Sequence, residues 1–184
     1  MAFAVVFDAC VLYPASIRDL LIRLARTGLF RARWTERILD ECFSSIVEAR
    51  PDLAGKLDRT RKLMEGAIAD AVVRDYEILA EKLDLPDEND RHVLAAAIRA
   101  GAQVIVTTNL RDFPVEALAP FDVEAQHPDK FVLHLLLLDP GAVVHVVTAQ
   151  AGALKSPPST VEQLLDTLER RGLVQSVAEL RKLL

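Results

Sequence analysis

Two short segments, Phe3 to Phe7 and Val104 to Thr107, limit most severely what this chain can become. Each is an unbroken apolar run rich in β-branched residues, too short for a buried helix and lacking the alternation of a half-exposed strand. Such runs suit parallel strands covered on both faces. Between and after them, apolar residues recur at helical spacing. Ile17, Leu20, Leu21 and Leu24 mark a helix over Ser16 to Arg26, with Gly28 as its stop, and Ile38, Cys42 and Ile46 mark one over Thr35 to Ala49, ended by Pro51. Residues 52–68 read as a more polar helix. Another begins after Asp87 and carries Val93, Leu94, Ala97 and Ile98 up to Gly101. Asp122 to Ala125 is a candidate third strand, Pro128 to Leu138 a helix, and Pro140 to Ala153 a helix or a strand plus turn. Thr160 to Arg171 and Val174 to Leu184 read as amphipathic helices. Strands alternating with helices predict an α/β fold with a central parallel sheet, here over residues 1–138, followed by a helical extension over 139–184.

In such sheets ligands collect beyond the carboxyl ends of the strands. The polar residues there are Asp8 after the first strand and Asn109 and Asp112 after the second. Asp90 joins them because, at 100° per residue, it shares a stripe with Val93, Leu94, Ala97 and Ile98, and a carboxylate on a buried face has to be paired or bound to a cation. Asp87, one turn earlier, lies near the same face and is also a good helix cap. Two carboxylates ~5 Å apart repel by about 3 kcal/mol at an effective dielectric of ~20, so several in one pocket imply a cation. Oxygen ligands with no His or Cys pair nearby favour Mg²⁺ or Mn²⁺, and that layout suits phosphodiester hydrolysis.

Other chemistries are excluded. The seven glycines are too scattered for a dinucleotide or P-loop motif, and no G-x-S-x-G elbow is present. A phosphatase with an Asp-x-Asp start would need a carboxylate where Cys10 stands. His92, His127, His134 and His145 read as structural or surface residues. The sequence has no basic leader and no apolar run near the ~20 residues of a membrane span, and two isolated cysteines suit a reduced, cytoplasmic protein. The net charge of −5 argues against a broad grip on nucleic acid. It is unevenly spread: residues 1–40 carry +2 and residues 41–90 carry −6. Arg18 and Arg26, off the apolar stripe of their helix, are candidates for substrate binding or for a solvated face; Trp34 suits core packing better than base stacking.

The strand ending in Asp8, the segment Asp90-Arg91-His92-Val93-Leu94-Ala95-Ala96-Ala97 and the segment Val104-Ile105-Val106-Thr107-Thr108-Asn109-Leu110-Arg111-Asp112-Phe113-Pro114 together resemble the PIN domain, over roughly residues 3–135. The resemblance implies a three-layer α/β/α fold, an acidic Mg²⁺ or Mn²⁺ site, and ribonuclease activity of the VapC kind found in toxin–antitoxin pairs. It places Asp8, Glu41, Asp90 and Asp112 as metal-holding catalytic residues, with Asn109, Asp87 and Thr107 in support. Glu41 rests on resemblance alone, since the helical wheel puts it on the polar side with Asp40. RNA, an antitoxin and a second copy of the chain are the implied partners. A non-catalytic RNA- or protein-binding domain and a DNA-directed nuclease are the competing readings. The stripe Val161, Leu164, Leu165 and Leu168 needs a partner, which the core, a second copy or an antitoxin would supply.

Overall fold

The computed structural model describes residues 2–184. Its centre is a parallel sheet in the order β2-β1-β3-β4, with β1 at Ala4–Phe7, β2 at Arg31–Arg33, β3 at Val104–Val106 and β4 at Glu124–Gln126. Val6 pairs with both Arg33 and Ile105, so β1 and β3 are the inner strands, and all of their residues are buried. Between β1 and β2 lie α1 (Ala9–Leu12) and α2 (Ala15–Arg26). Between β2 and β3 lie α3 (Glu36–Ala49), α4 (Ala54–Ala67), α5 (Glu77–Ala80) and α6 (Arg91–Ala100), and α7 (Val115–Leu118) precedes β4. The helices cover the sheet to give the three-layer α/β/α arrangement, followed by α8 (Pro128–Leu138), α9 (Pro140–Ala153), α10 (Val161–Arg170) and α11 (Val174–Leu183). No helix among the described residues is long and apolar enough to cross a membrane.

The strand between Arg31 and Arg33 escapes the sequence reading because its charged residues alternate about one buried alanine, Ala32. As a three-residue edge strand it needs only that alanine inside. Trp34 extends this edge through a bridge to Val72 and is itself wholly buried, which settles it as a core residue. The fourth strand starts two residues later than expected, because Asp122 takes a left-handed conformation (φ 55°) that ends the preceding turn. Pro140 to Ala153 is helical throughout. Gly101 closes α6 at φ 60°, a conformation that side chains with a Cβ disfavour.

One apolar core runs from β1 into the extension. Phe30 and Phe131 meet edge to face at 5.0 Å, and Phe7 packs on both, so α8 is anchored directly beneath the sheet. Leu164, Leu165 and Leu168 of α10 are buried against α2, α9 and α11. The stripe therefore finds its partner in the chain's own core. Gln150 of α9 donates to the carbonyl of Ser16 at 2.9 Å, tying the extension to the start of α2. Asp129 of α8 is buried and accepts hydrogen bonds from the backbone N–H groups of Gln175 (2.9 Å) and Ser176 (2.8 Å) and from the Ser176 hydroxyl (2.7 Å). It thereby caps the start of α11 from 47 residues away, where Leu173 offers no side-chain cap of its own.

Candidate metal centre

The strand order reverses between β1 and β3, and the carboxyl ends of these two strands carry Asp8 and Thr107. Asp8 continues the ladder by donating its N–H to the carbonyl of Val106 at 3.1 Å. Its Oδ1 caps α1 by accepting from the Ala9 N–H at 2.7 Å, and its Oδ2 accepts from the Thr107 hydroxyl at 2.8 Å and the Cys10 thiol at 3.3 Å. Thr107 is wholly buried and its Oγ1 in turn accepts from the Asn109 N–H at 3.0 Å. This short network fixes the Asp8 carboxylate and the loop after β3 together.

Two 3-10 turns bring in the remaining acids. Glu88–Asp90 leads into α6 and Leu110–Asp112 follows β3. Each turn is closed by a backbone hydrogen bond, Asp90 N–H to the carbonyl of Asp87 (3.2 Å) and Asp112 N–H to the carbonyl of Asn109 (3.2 Å), which keeps Asp87 near Asp90 and Asn109 near Asp112. Carboxylate oxygens of Asp87, Asp90 and Asp112 all lie within 4.8 Å of one another. Asp87 also accepts from the N–H of Asn89 at 2.9 Å, so the residue is both cap and site member. The Asn109 amide donates to Asp112 Oδ2, which shows what the amide does at this position: it steadies an acid without adding charge.

Asp90 is the electrostatic centre. Burial raises its carboxyl first, and repulsion from Asp8, Asp87 and Asp112 adds to this, against a small opposing pull from His92, so that it titrates at about 6. Its Oδ2 is buried with no hydrogen-bond partner. A buried, unpartnered carboxylate oxygen facing two further carboxylates is a poor arrangement for a bare protein and a good one for a hard cation. The donor set thus fits a divalent ion.

Glu41 stands apart from this triad. Its Oε1 accepts from Arg37 Nε at 2.9 Å and lies 3.1 Å from His92 Nε2, off the line of a good hydrogen bond. Burial alone would raise the Glu41 carboxyl, yet His92 and Arg37 more than offset it and hold it below the ordinary value. Its side chain is 40% exposed against 65% for Asp40, so the two do not share the environment the helical wheel gave them. The sequence reading missed the role of His92, which is buried beside Glu41. Only the distant pairing of α3 with α6 reveals it. Arg18 donates to the carbonyls of Leu12 (2.7 Å) and Tyr13 (3.2 Å) and so braces the α1–α2 turn. Arg26 is exposed with no carboxylate partner among the described residues.

The raised Asp90 value has a thermodynamic consequence with a definite sign. A carboxyl whose pKa is 3.8 unfolded and about 6 folded favours the folded state fully below pH ~3.8, and that contribution is lost as pH rises through about 6. A divalent cation favours the ionised form. The rise in melting temperature produced by saturating Mg²⁺ is therefore expected to be larger at pH 7.5 than at pH 5.5. Equal shifts in thermal unfolding at the two pH values would remove Asp90 from the cation site.

A parallel α/β sheet with a carboxylate cluster at its switch point defines a class of metal-binding α/β domains, and comparison with known proteins narrows it. The chain belongs to the PIN domain family, whose model matches residues 4–111. A second model, the VapC50 C-terminal domain, matches residues 128–182. A protein of Mycobacterium tuberculosis (strain ATCC 25618 / H37Rv) named "Putative ribonuclease VapC50" is 47% identical over 94 residues, which make up 51% of this chain and 55% of that protein. The match thus spans about half the length of that relative. No solved structure matches the chain.

Proposed function

We propose that this chain is a Mg²⁺- or Mn²⁺-dependent endoribonuclease and the toxin of a toxin–antitoxin pair, with a nuclease unit over 1–138 and a helical extension over 139–184. The observation that carries the nuclease reading is the convergence of Asp87, Asp90 and Asp112 at the strand ends beside Asp8. Family membership and the name of the M. tuberculosis relative support RNA as substrate. In this reading Asp90 and Asp112 hold the cation, Asp87 completes the acidic shell, and Asp8 closes it from the β1 side while locked by Thr107. A bound divalent ion would supply a lowered pKa for its water and charge stabilisation on the phosphate. The residues put forward as catalytic and metal-holding are Asp8, Glu41, Asp90 and Asp112, with Glu41 reaching the site from α3, where Arg37 and His92 lie beside its carboxylate. A cytoplasmic location and an antitoxin partner belong to the same reading, as does a homodimer.

The test is cleavage of single-stranded RNA by the purified chain with Mg²⁺ or Mn²⁺, in parallel with single-stranded DNA of the same sequence. Cleavage of RNA alone that stops with excess EDTA is the expected result. Persistence in EDTA, or preference for DNA, would overturn it. RNA binding without turnover would favour the non-catalytic alternative.

A further inference from the structure

Without a cation the carboxylate site repels phosphate, so it offers no extended grip on a polyanion. Unpaired positive charge gathers elsewhere on the molecule. A cleft of about 1090 Å³ lies between α2, α4 and the extension helices α9 and α10. Its walls carry five basic residues against one acidic residue, in a chain whose net charge is −5. That acid, Asp19, is already paired with Arg23 at 2.9 Å, and Arg18 is turned onto backbone carbonyls. Arg26, Lys62 and Arg171 remain, one from each wall, all exposed and none with a carboxylate partner among the described residues. Arg61 is paired with Glu36, Asp40 and Glu65, and Arg181 with Glu162, Asp166 and Glu169, whereas other unpaired exposed cations such as Arg59, Arg74 and Lys82 lie outside the cleft. What sets the cleft apart is that three such cations line one concavity. Hydroxyls of Thr60, Ser159 and Thr167 share the lining with these cations.

We infer that this cleft binds the sugar-phosphate backbone of single-stranded RNA, with the C-terminal extension supplying one wall. The inference rests on the ribonuclease reading for its choice of polyanion. Along α2 the lining runs from Ala15 to Arg26, about 17 Å at ~1.5 Å per residue, long enough for a short run of nucleotides. The Thr60 hydroxyl can donate to phosphate, while Ser159 and Thr167, which already donate to the carbonyls of Thr160 and Gln163, can accept from a ribose 2′-OH. No aromatic side chain lines the cleft, so the grip is on the backbone and tolerant of sequence. The short helix α1 joins the two places: Asp8 caps its start, and Arg18 in the cleft wall holds the carbonyls at its end.

The experiment uses the full chain carrying Asp90→Asn, a fluorescent 12-nucleotide single-stranded RNA, and anisotropy at several salt concentrations, with and without the added pair Lys62→Glu and Arg171→Glu. Both are unpaired surface side chains, so the fold should survive, and circular dichroism checks this. The charge reversals are expected to weaken binding at least about tenfold and to reduce the salt slope by roughly 1.4, at ~0.7 per phosphate contact on a single strand. The conservative pair Lys62→Arg and Arg171→Lys should bind like the parent. Unchanged affinity in the reversal variant would overturn the inference. So would a cleft that captures a poly-glutamate peptide in a Lys62- and Arg171-dependent way while RNA affinity ignores both residues, which would mark a protein-docking surface. With an otherwise unaltered chain, the reversals should raise KM for the 12-mer and leave cleavage of a trinucleotide unchanged. If the unaltered chain cleaves nothing, the ribonuclease reading falls, while the binding measurement still decides the cleft.

Discussion

Asp90→Asn is expected to reduce metal-dependent RNA cleavage on the order of 10²–10³-fold, the scale of losing one preorganised charge-stabilising group. The same substitution should leave the metal-free protein slightly more stable at pH 7.5, because it removes the charge that Asp8, Asp87 and Asp112 repel. The two effects have opposite signs and a common cause. At pH 7.5 the chain keeps a half-buried, ionised carboxylate in an unfavourable place, and a cation makes that place favourable. Thermal unfolding should show both the higher starting stability and the loss of most of the Mg²⁺-induced shift. A variant that unfolds earlier than the parent, or that keeps full activity, would contradict this account. Asp112→Asn is a useful comparison, since Asn109 already donates an amide there and the pair would become two amides.

The largest effect on folding is expected away from the acidic site. Asp129→Ala removes the acceptor of two backbone N–H groups and a buried hydroxyl at the start of α11. Hydrogen bonds to a charged acceptor contribute ~1.5–3 kcal/mol, and the Ser176 N–H is left buried without a partner while its hydroxyl keeps the backbone carbonyl of residue 129, so a loss of about 3 kcal/mol is expected. For a chain of this size that is a fall in melting temperature of roughly 6–12 °C. Cleavage by the folded fraction at low temperature should persist, which distinguishes a structural carboxylate from the functional ones. A melting temperature within about 1 °C of the parent would show that water replaces the cap.

These two aspartates also mark how far the sequence could be read. The inner strands were plain from their unbroken apolar runs, and with them the switch point and Asp8. Asp90 was visible because its helix has a strong buried face. Asp87 was visible as a cap near the same face as Asp90, yet the family likeness gave it only a supporting place; the turn that brings its carboxylate up to Asp90 and Asp112 appears only in the folded chain. β2 was hidden because an edge strand of Arg-Ala-Arg needs only one inward residue. Asp129 gave no sign at all, since its partners lie 46 and 47 residues further on and nothing local distinguishes it from a solvated helix start. Glu41 came from family likeness, and its contacts with Arg37 and His92 could be found only by folding the chain. In physical terms, signals with a local period were legible and those that depend on long-range closure were not.

The continuous core between sheet and extension bears on how the two halves can vary over time. Two separate family models match the two stretches, yet α2 is flanked on its outer side by α9 and α10 and held at Ser16 by Gln150. Residues on that side of α2 answer to the extension as well as to the sheet. A substitution there that enlarges a side chain must be matched across the seam by one that shrinks, so the halves are bound to drift together. Exchanging the extension for that of another protein would import a surface cut for a different α2.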